Sequence, residues 1–175
     1  MQGIRKIALT AGIVLTLSAC SHEEKSPNVK TAEKIVAAGQ AGGPMSPGAF
    51  KATITSAGPP GKMKPGEKAT ITVKVKNDGD AAWPAHGRAS DGFFQVNLGD
   101  IWFDANNAKV EKHPYVRSGL PHDVAPGEEV EVNLAITAPS SPGQYTMQLD
   151  LVQEMVTWFS EKGNPTPKFK VTVGG

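Results

Sequence analysis

Lys68–Lys76 reads K-A-T-I-T-V-K-V-K. In an extended chain Ala69, Ile71, Val73 and Val75 fall on one face, and Thr70, Thr72, Lys74 and Lys76 on the other. Strand side chains alternate with period two, and β-branched residues suit a pleated, half-buried surface. The stretch therefore predicts a strand with one face in a core. Glu128–Thr137 repeats the device, with Val130, Val132, Leu134 and Ile136 on its apolar face. The same tripeptide opens both, as Pro65-Gly66-Glu67 and Pro126-Gly127-Glu128. Proline presets φ and glycine admits the left-handed region, so each tripeptide predicts a tight turn into its strand.

Further along, Ser141-Pro142-Gly143 leads into Tyr145–Leu151, where Tyr145, Met147, Leu149 and Leu151 share a face. Phe50–Thr55, Phe93–Leu98 and Ile101–Phe103 are further strand candidates, and Phe169, Val171 and Val173 alternate near the end of the chain. Pro or Gly separates nearly all of these runs. About seven short strands punctuated in this way predict an all-β fold, a single antiparallel β-sandwich over residues 49–175. A chain of that length buries about two-thirds of its unfolded surface and needs no disulfide to fold. The only cysteine, Cys20, lies outside it.

The N-terminal segment is of another kind. Arg5 and Lys6 precede an uncharged run from Ile7 to Leu17, then Leu17-Ser18-Ala19-Cys20. The run is shorter than the roughly 20 apolar residues that span a bilayer, and suits a secretory signal. The tetrapeptide resembles the lipobox of bacterial lipoproteins. That resemblance implies a signal peptide over residues 1–19, cleavage before Cys20, and a covalent lipid on the Cys20 thiol as membrane anchor. Two or more acyl chains hold a membrane firmly where one does not. With Ser21 after the cysteine, the same resemblance implies the outer rather than the inner membrane in a Gram-negative host. Loss of residues 1–19 removes Arg5 and Lys6 and no acidic residue, so the net charge passes from +1 to −1. Such a balance offers no footprint for nucleic acid. Lys62, Lys64, Lys68, Lys74 and Lys76 are spread along a turn and a strand and read as a solvated face. Residues 20–48, rich in Gly, Pro, Ala and Ser, read as a flexible linker with a span of roughly 30 Å. Thr31–Ala38 could form a turn or two of helix within it.

Asn77-Asp78-Gly79-Asp80-Ala81-Ala82-Trp83-Pro84, Leu120–Glu128, and Pro142-Gly143-Gln144-Tyr145 continuing to Trp158-Phe159 together resemble bacterial Ig-like domains. They are similar to accessory domains beside glycosyltransferases and methyltransferases of surface-polysaccharide pathways and, more distantly, to the four-tryptophan Ig-like domain of autophagy receptors. The resemblance covers roughly residues 65–174 and implies an Ig-like sandwich. Tyr145, just after a Pro-Gly turn, fits the tyrosine corner of such folds, its hydroxyl bonding backbone across the corner. Met147 stands where such domains carry their second cysteine.

Motifs for chemistry are missing: there is no His-Glu-x-x-His, no phosphate-cradling loop and no Gly-x-Ser-x-Gly. His22, His86, His113 and His122 have no compact ligand spacing, and Met45, Met63, Met147 and Met155 are scattered, so no metal or cofactor is expected. Asp150 and Glu154 could pair as glycosidase carboxylates, but a domain this small implies no deep cleft. The aromatics Trp83, Trp102, Tyr115 and Trp158 fall at strand ends or in loops. Each reads either as a core plug or as a ring that meets a sugar or a protein partner. The expectation is a membrane-anchored lipoprotein of the cell envelope, not an enzyme, serving as a protein-interaction or scaffolding module. The alternative is a carbohydrate-binding lipoprotein that recognises an envelope glycan through those aromatics.

Overall fold

The computed structural model describes residues 42–87, 91–111 and 113–175. Cys20 and Thr31–Ala38 lie outside them.

Two sheets pack face to face. The first has the order β1-β3-β6, from Ala52–Ser56 (β1), Lys68–Asn77 (β3) and Glu129–Thr137 (β6), all antiparallel. The second runs β2-β9-β7-β4-β5, from Lys62–Met63 (β2), Lys168–Val173 (β9), Gly143–Gln153 (β7), Val96–Phe103 (β4) and Arg117–Gly119 (β5). A short β8, Thr157–Trp158, folds back on β7. The pairing is antiparallel throughout except for β2, which runs parallel to β9. The expected all-β sandwich is the observed fold.

The predicted faces are the buried faces. Val73 pairs with Val132, Val75 with Val130 and Ile71 with Leu134, so each branched side chain of β3 meets one of β6 on the core side. Opposite them lie Leu98 and Trp102 of β4, and Met147, Leu149 and Leu151 of β7. Each large apolar side chain removed from water here contributes about 1.5–3 kcal/mol. Met147 is fully buried, so packing occupies the position of the expected missing cysteine. The repeated Pro-Gly-Glu unit also behaves the same way twice. Gly66 and Gly127 have φ of 70° and 83°, and the following glutamates accept from the amides of Lys64 (2.6 Å) and Ala125 (2.8 Å).

One expectation is revised. Phe93–Leu98 and Ile101–Phe103 were two strand candidates; a single strand, Val96–Phe103, runs through Gly99-Asp100 without a break. Two local arrangements allow it. Asp100, on the core side, accepts the Trp102 indole N–H at 2.6 Å. Gly99, on the other side, leaves room for a tryptophan ring. Phe93 falls in a turn instead.

The two ends of the sandwich are held differently, and the one plugged by Trp83 is its closed end. At one, the Tyr145 hydroxyl donates to the Ser141 carbonyl at 2.9 Å, as a tyrosine corner requires. At the other, Asn77 Nδ2 donates to the carbonyls of Ala81 and Val124, both at 2.9 Å, while its Oδ1 accepts from the Gly79 amide. Trp83 pairs its backbone with Val124 and donates its indole N–H to the Ala49 carbonyl at 2.8 Å. Just upstream, Met45 donates its amide to buried Gln153, whose Nε2 donates to the Gly43 carbonyl.

Removing Asn77 strands buried backbone partners, whereas removing the Tyr145 hydroxyl loses one partly buried bond. Asn77→Ala should therefore cost about 3 kcal/mol and Tyr145→Phe about 1 kcal/mol. Urea denaturation midpoints at equal m-values check both.

Candidate interaction surface

The outward face of the larger sheet carries the clearest side-chain cluster. The register sets Asp150 beside Gly99, and Gly99 beside Arg117, in one row across β7, β4 and β5. Trp158 pairs with Val152, so the β8 turn lays its indole onto this row. A Cβ on Gly99 would meet the Trp158 ring at 3.1 Å. The Arg117 guanidinium lies over the same ring, 5.2 Å from its centroid, and pairs with Glu154. Glu154 also accepts from Asn97 Nδ2 at 2.8 Å. The result is a half-buried tryptophan held from below by a glycine and from above by an arginine, bordered by an amide and a carboxylate.

The four sequence candidates do not converge. Trp83 is fully buried at the closed end, edge-on to Phe159 at 5.3 Å. Trp102 is fully buried between Tyr145 and His113. Neither indole offers a surface to a ligand. Tyr115 is 36 % exposed beneath Lys109 Nζ, 4.7 Å from its ring centroid, on the loop before β5. Trp158 alone stands in a polar cluster. Its companions Arg117 and Asn97 went unread because nothing local marks them; only the register brings them together. Asp150 and Glu154 part as well, since Asp150 is buried and accepts from the Leu151 and Ser160 amides. Asn106 and Asn107 serve a turn, Asp104 Oδ1 accepting from the Asn106 and Ala108 amides and Asn107 taking a φ of 61°.

Beneath Trp102 lies a second polar group. Asp100 and His113 are both buried, and Asp100 Oδ2 is 3.9 Å from His113 Nε2, too far for a hydrogen bond. Asp100 Oδ1 and His113 Nε2 have no hydrogen-bond partner among the described residues. Burial raises the Asp100 carboxyl to about 6 and pushes the His113 imidazole down. Burial likewise raises Asp150 to about 6. Among the described residues, no group of three or more His, Cys, Asp and Glu could hold a metal ion.

These shifts carry a sign. Asp100 and Asp150 prefer the proton in the folded state, so their contribution is full below the unfolded value near 3.8 and is lost as pH rises through about 6. Each two-unit shift corresponds to about 3 kcal/mol. His113 acts oppositely: its contribution is full above the unfolded 6.5 and is lost as pH falls through its lowered folded value. Asp100→Asn keeps an acceptor for Trp102 and should remove about half of the carboxylate-driven loss of stability between about pH 4 and pH 7. Denaturation midpoints across pH, with His113→Asn as the opposing variant, check the assignment.

The model of the family described as the Ig-like domain from next to BRCA1 gene matches residues 58–162. No curated protein gives a significant match. Among solved structures, a β-glucosidase from Listeria innocua in complex with glucose aligns at 17% identity and a TM-score of 0.44, covering 71% of this chain and 16% of that one. The chain thus spans under a fifth of that enzyme. The CARDB domain of the PF1109 protein from Pyrococcus furiosus aligns at 17% identity and a TM-score of 0.40, over 70% of this chain and 92% of that one. The sporulation control protein Spo0M from Bacillus subtilis aligns at 16% identity and a TM-score of 0.38, over 71% and 49%.

Proposed function

Because the chain belongs to the family of the Ig-like domain from next to BRCA1 gene, we propose that it is a non-enzymatic interaction module, tethered to a membrane of the bacterial cell envelope through a lipid on Cys20, which docks a partner protein on the Trp158 cluster. The observation that carries this reading is the ring of Trp158 pinned between Gly99 and Arg117. Tryptophan and arginine dominate the energetics of protein interfaces, and a rotamer already locked by its neighbours loses little entropy on binding. The Arg117–Glu154–Asn97 chain of contacts supplies polar groups that a partner can complete without rebuilding them.

Carbohydrate recognition is the second reading, favoured by an aromatic ring bordered by Asn97 and Glu154. It has a steric cost: the guanidinium of Arg117 covers the face on which a sugar would stack. Arg117 would have to swing away and leave Glu154. We therefore rank protein docking first.

A photo-cross-linking amino acid at position 117 should trap one partner in cells, and the same group at Thr70, exposed on the other sheet, should not. Trp158→Ala should weaken that partner at least tenfold, about 1.4 kcal/mol or more, at a temperature where the variant is still folded. Equal adducts from both positions would sink the docking surface. Saturable quenching of tryptophan fluorescence by envelope polysaccharide, lost in Trp158→Ala, would transfer the cluster to the glycan reading. The anchor is tested separately: Cys20→Ser should abolish incorporation of a palmitate analogue and release the protein from membranes.

A further inference from the structure

Three large apolar side chains of the described residues are exposed: Phe93 at 43%, Tyr115 at 36% and Met155 at 73%. Phe93 and Met155 line one shallow hollow at the closed end of the sandwich, with Asp91, Gln95 and Glu154. The loops that carry them are hydrogen-bonded to each other, the Phe94 amide donating to the Glu154 carbonyl and the Glu154 amide to the Gln95 carbonyl. Both loops hold a bulky residue in the left-handed region, Phe94 at φ 68° and Met155 at φ 61°. That conformation suits glycine or asparagine, and a methionine there gains no packing in return when nearly three-quarters of it faces solvent.

The same tip receives the N-terminal chain. Gln153 Nε2 donates to the Gly43 carbonyl at 3.1 Å and to the Phe94 carbonyl at 3.0 Å, so one buried amide binds both the entering chain and the Phe93 loop. Met45 closes the contact from its amide to Gln153 Oε1. The segment from Cys20 to Gly43 therefore starts from the end of the domain that bears Phe93 and Met155. On the anchored reading proposed above, that end is the one with the shortest path to lipid.

We propose that the Phe93–Met155 tip rests on the bilayer that holds the anchor, orienting the domain so that the opposite end points away from the membrane. The occupant is the apolar boundary of the lipid rather than its charge. The carboxylates at the hollow, Asp91 and Glu154, are held by the Phe93 amide and by Arg117, and no free cation faces it among the described residues lining it. Contact is accordingly expected not to require anionic lipid. A weak contact suffices, because tethering makes it intramolecular and raises the effective concentration of lipid at the tip.

The test uses the full acylated chain in phosphatidylcholine–phosphatidylethanolamine vesicles, with and without phosphatidylglycerol. An environment-sensitive fluorophore is placed at Met155→Cys or, for comparison, at Asn106→Cys. Position 106 follows the far end of β4, about 25 Å from the tip at the rise of a strand. The expected result is a blue shift and a several-fold gain in emission at position 155 only, present without phosphatidylglycerol and halved or more by Phe93→Asp. Vesicle flotation separates the two readings. A chain that floats with an unshifted probe at 155 overturns the tip contact and leaves the anchor standing; a chain that does not float overturns the anchor and the tip contact with it. A shift that follows protein density rather than lipid identifies a second copy as the occupant and also overturns the proposal.

Discussion

The closed end of the sandwich depends on Asn77. Its side chain makes three backbone bonds, to Ala81, Val124 and Gly79, and so ties the exit of β3 to the approach of β6. Those bonds place Trp83 against Val124, and the Trp83 indole then reaches across to the Ala49 carbonyl. Phe159 packs edge-on against both Trp83 and Phe50, which brings the end of β8 into the same knot. Gly79 is required at this crossing, because a Cβ there would lie 2.7 Å from the Ala49 carbonyl oxygen. A sandwich without a disulfide needs some other tie across its sheets. Here a buried amide and an indole do it, and both act by satisfying backbone groups whose isolation would cost about 1–3 kcal/mol each.

Against that rigid end, the larger sheet keeps polar residues where a purely structural strand would have apolar ones. Asp100 and Asp150 are fully buried carboxyls on opposite faces of neighbouring strands, and burial raises both to about 6. Among the described residues neither has a cationic partner at bonding distance, His113 being 3.9 Å from Asp100 and itself driven toward neutrality. What they have instead are N–H donors: the Trp102 indole for Asp100, and the Leu151 and Ser160 amides for Asp150. These bonds fix the Trp102 ring and the β8 turn, respectively. The carboxyl of Asp150 thereby holds the segment that lays Trp158 on Gly99, so a buried acid on one strand positions a half-buried ring over the next.

The parts of this fold that were legible were those written in local pattern. Period two in Lys68–Lys76 and Glu128–Thr137, the two Pro-Gly-Glu turns, and Tyr145 after Pro142-Gly143 each carry their structural meaning within a few residues. β2, β5 and β8 were not legible, because two or three residues hold no periodicity and exist as strands only through their neighbours. Gly99-Asp100 looked like a break because both residues favour turns; the compensations that keep it extended come from Trp158 and Trp102. The aromatics divide on the same principle. Trp83, Trp102, Tyr115 and Trp158 are all aromatic rings, and only the register decides that two are enclosed and that Trp158 meets Arg117, whose partner Glu154 also holds Asn97.

Placement of exposed and enclosed groups also bears on the proposed binding role. Groups with perturbed acidity suit chemistry when they face a substrate. Here the raised carboxyls lie under fully covered positions, while the half-buried cluster above them is an ion pair, an amide and a ring whose polar groups already satisfy one another. A nucleophile or base must be left poised, whereas an interface gains from groups locked in advance. The strain follows the same division. Non-glycine residues at positive φ occur at Phe94 and Met155 beside exposed apolar surface, and at Asn107 in a turn that asparagine tolerates. Asparagine at such a position needs no further reason. A methionine and a phenylalanine are rarer there, and the lipid contact proposed for the tip would add to the hydrogen bonds that already hold both loops.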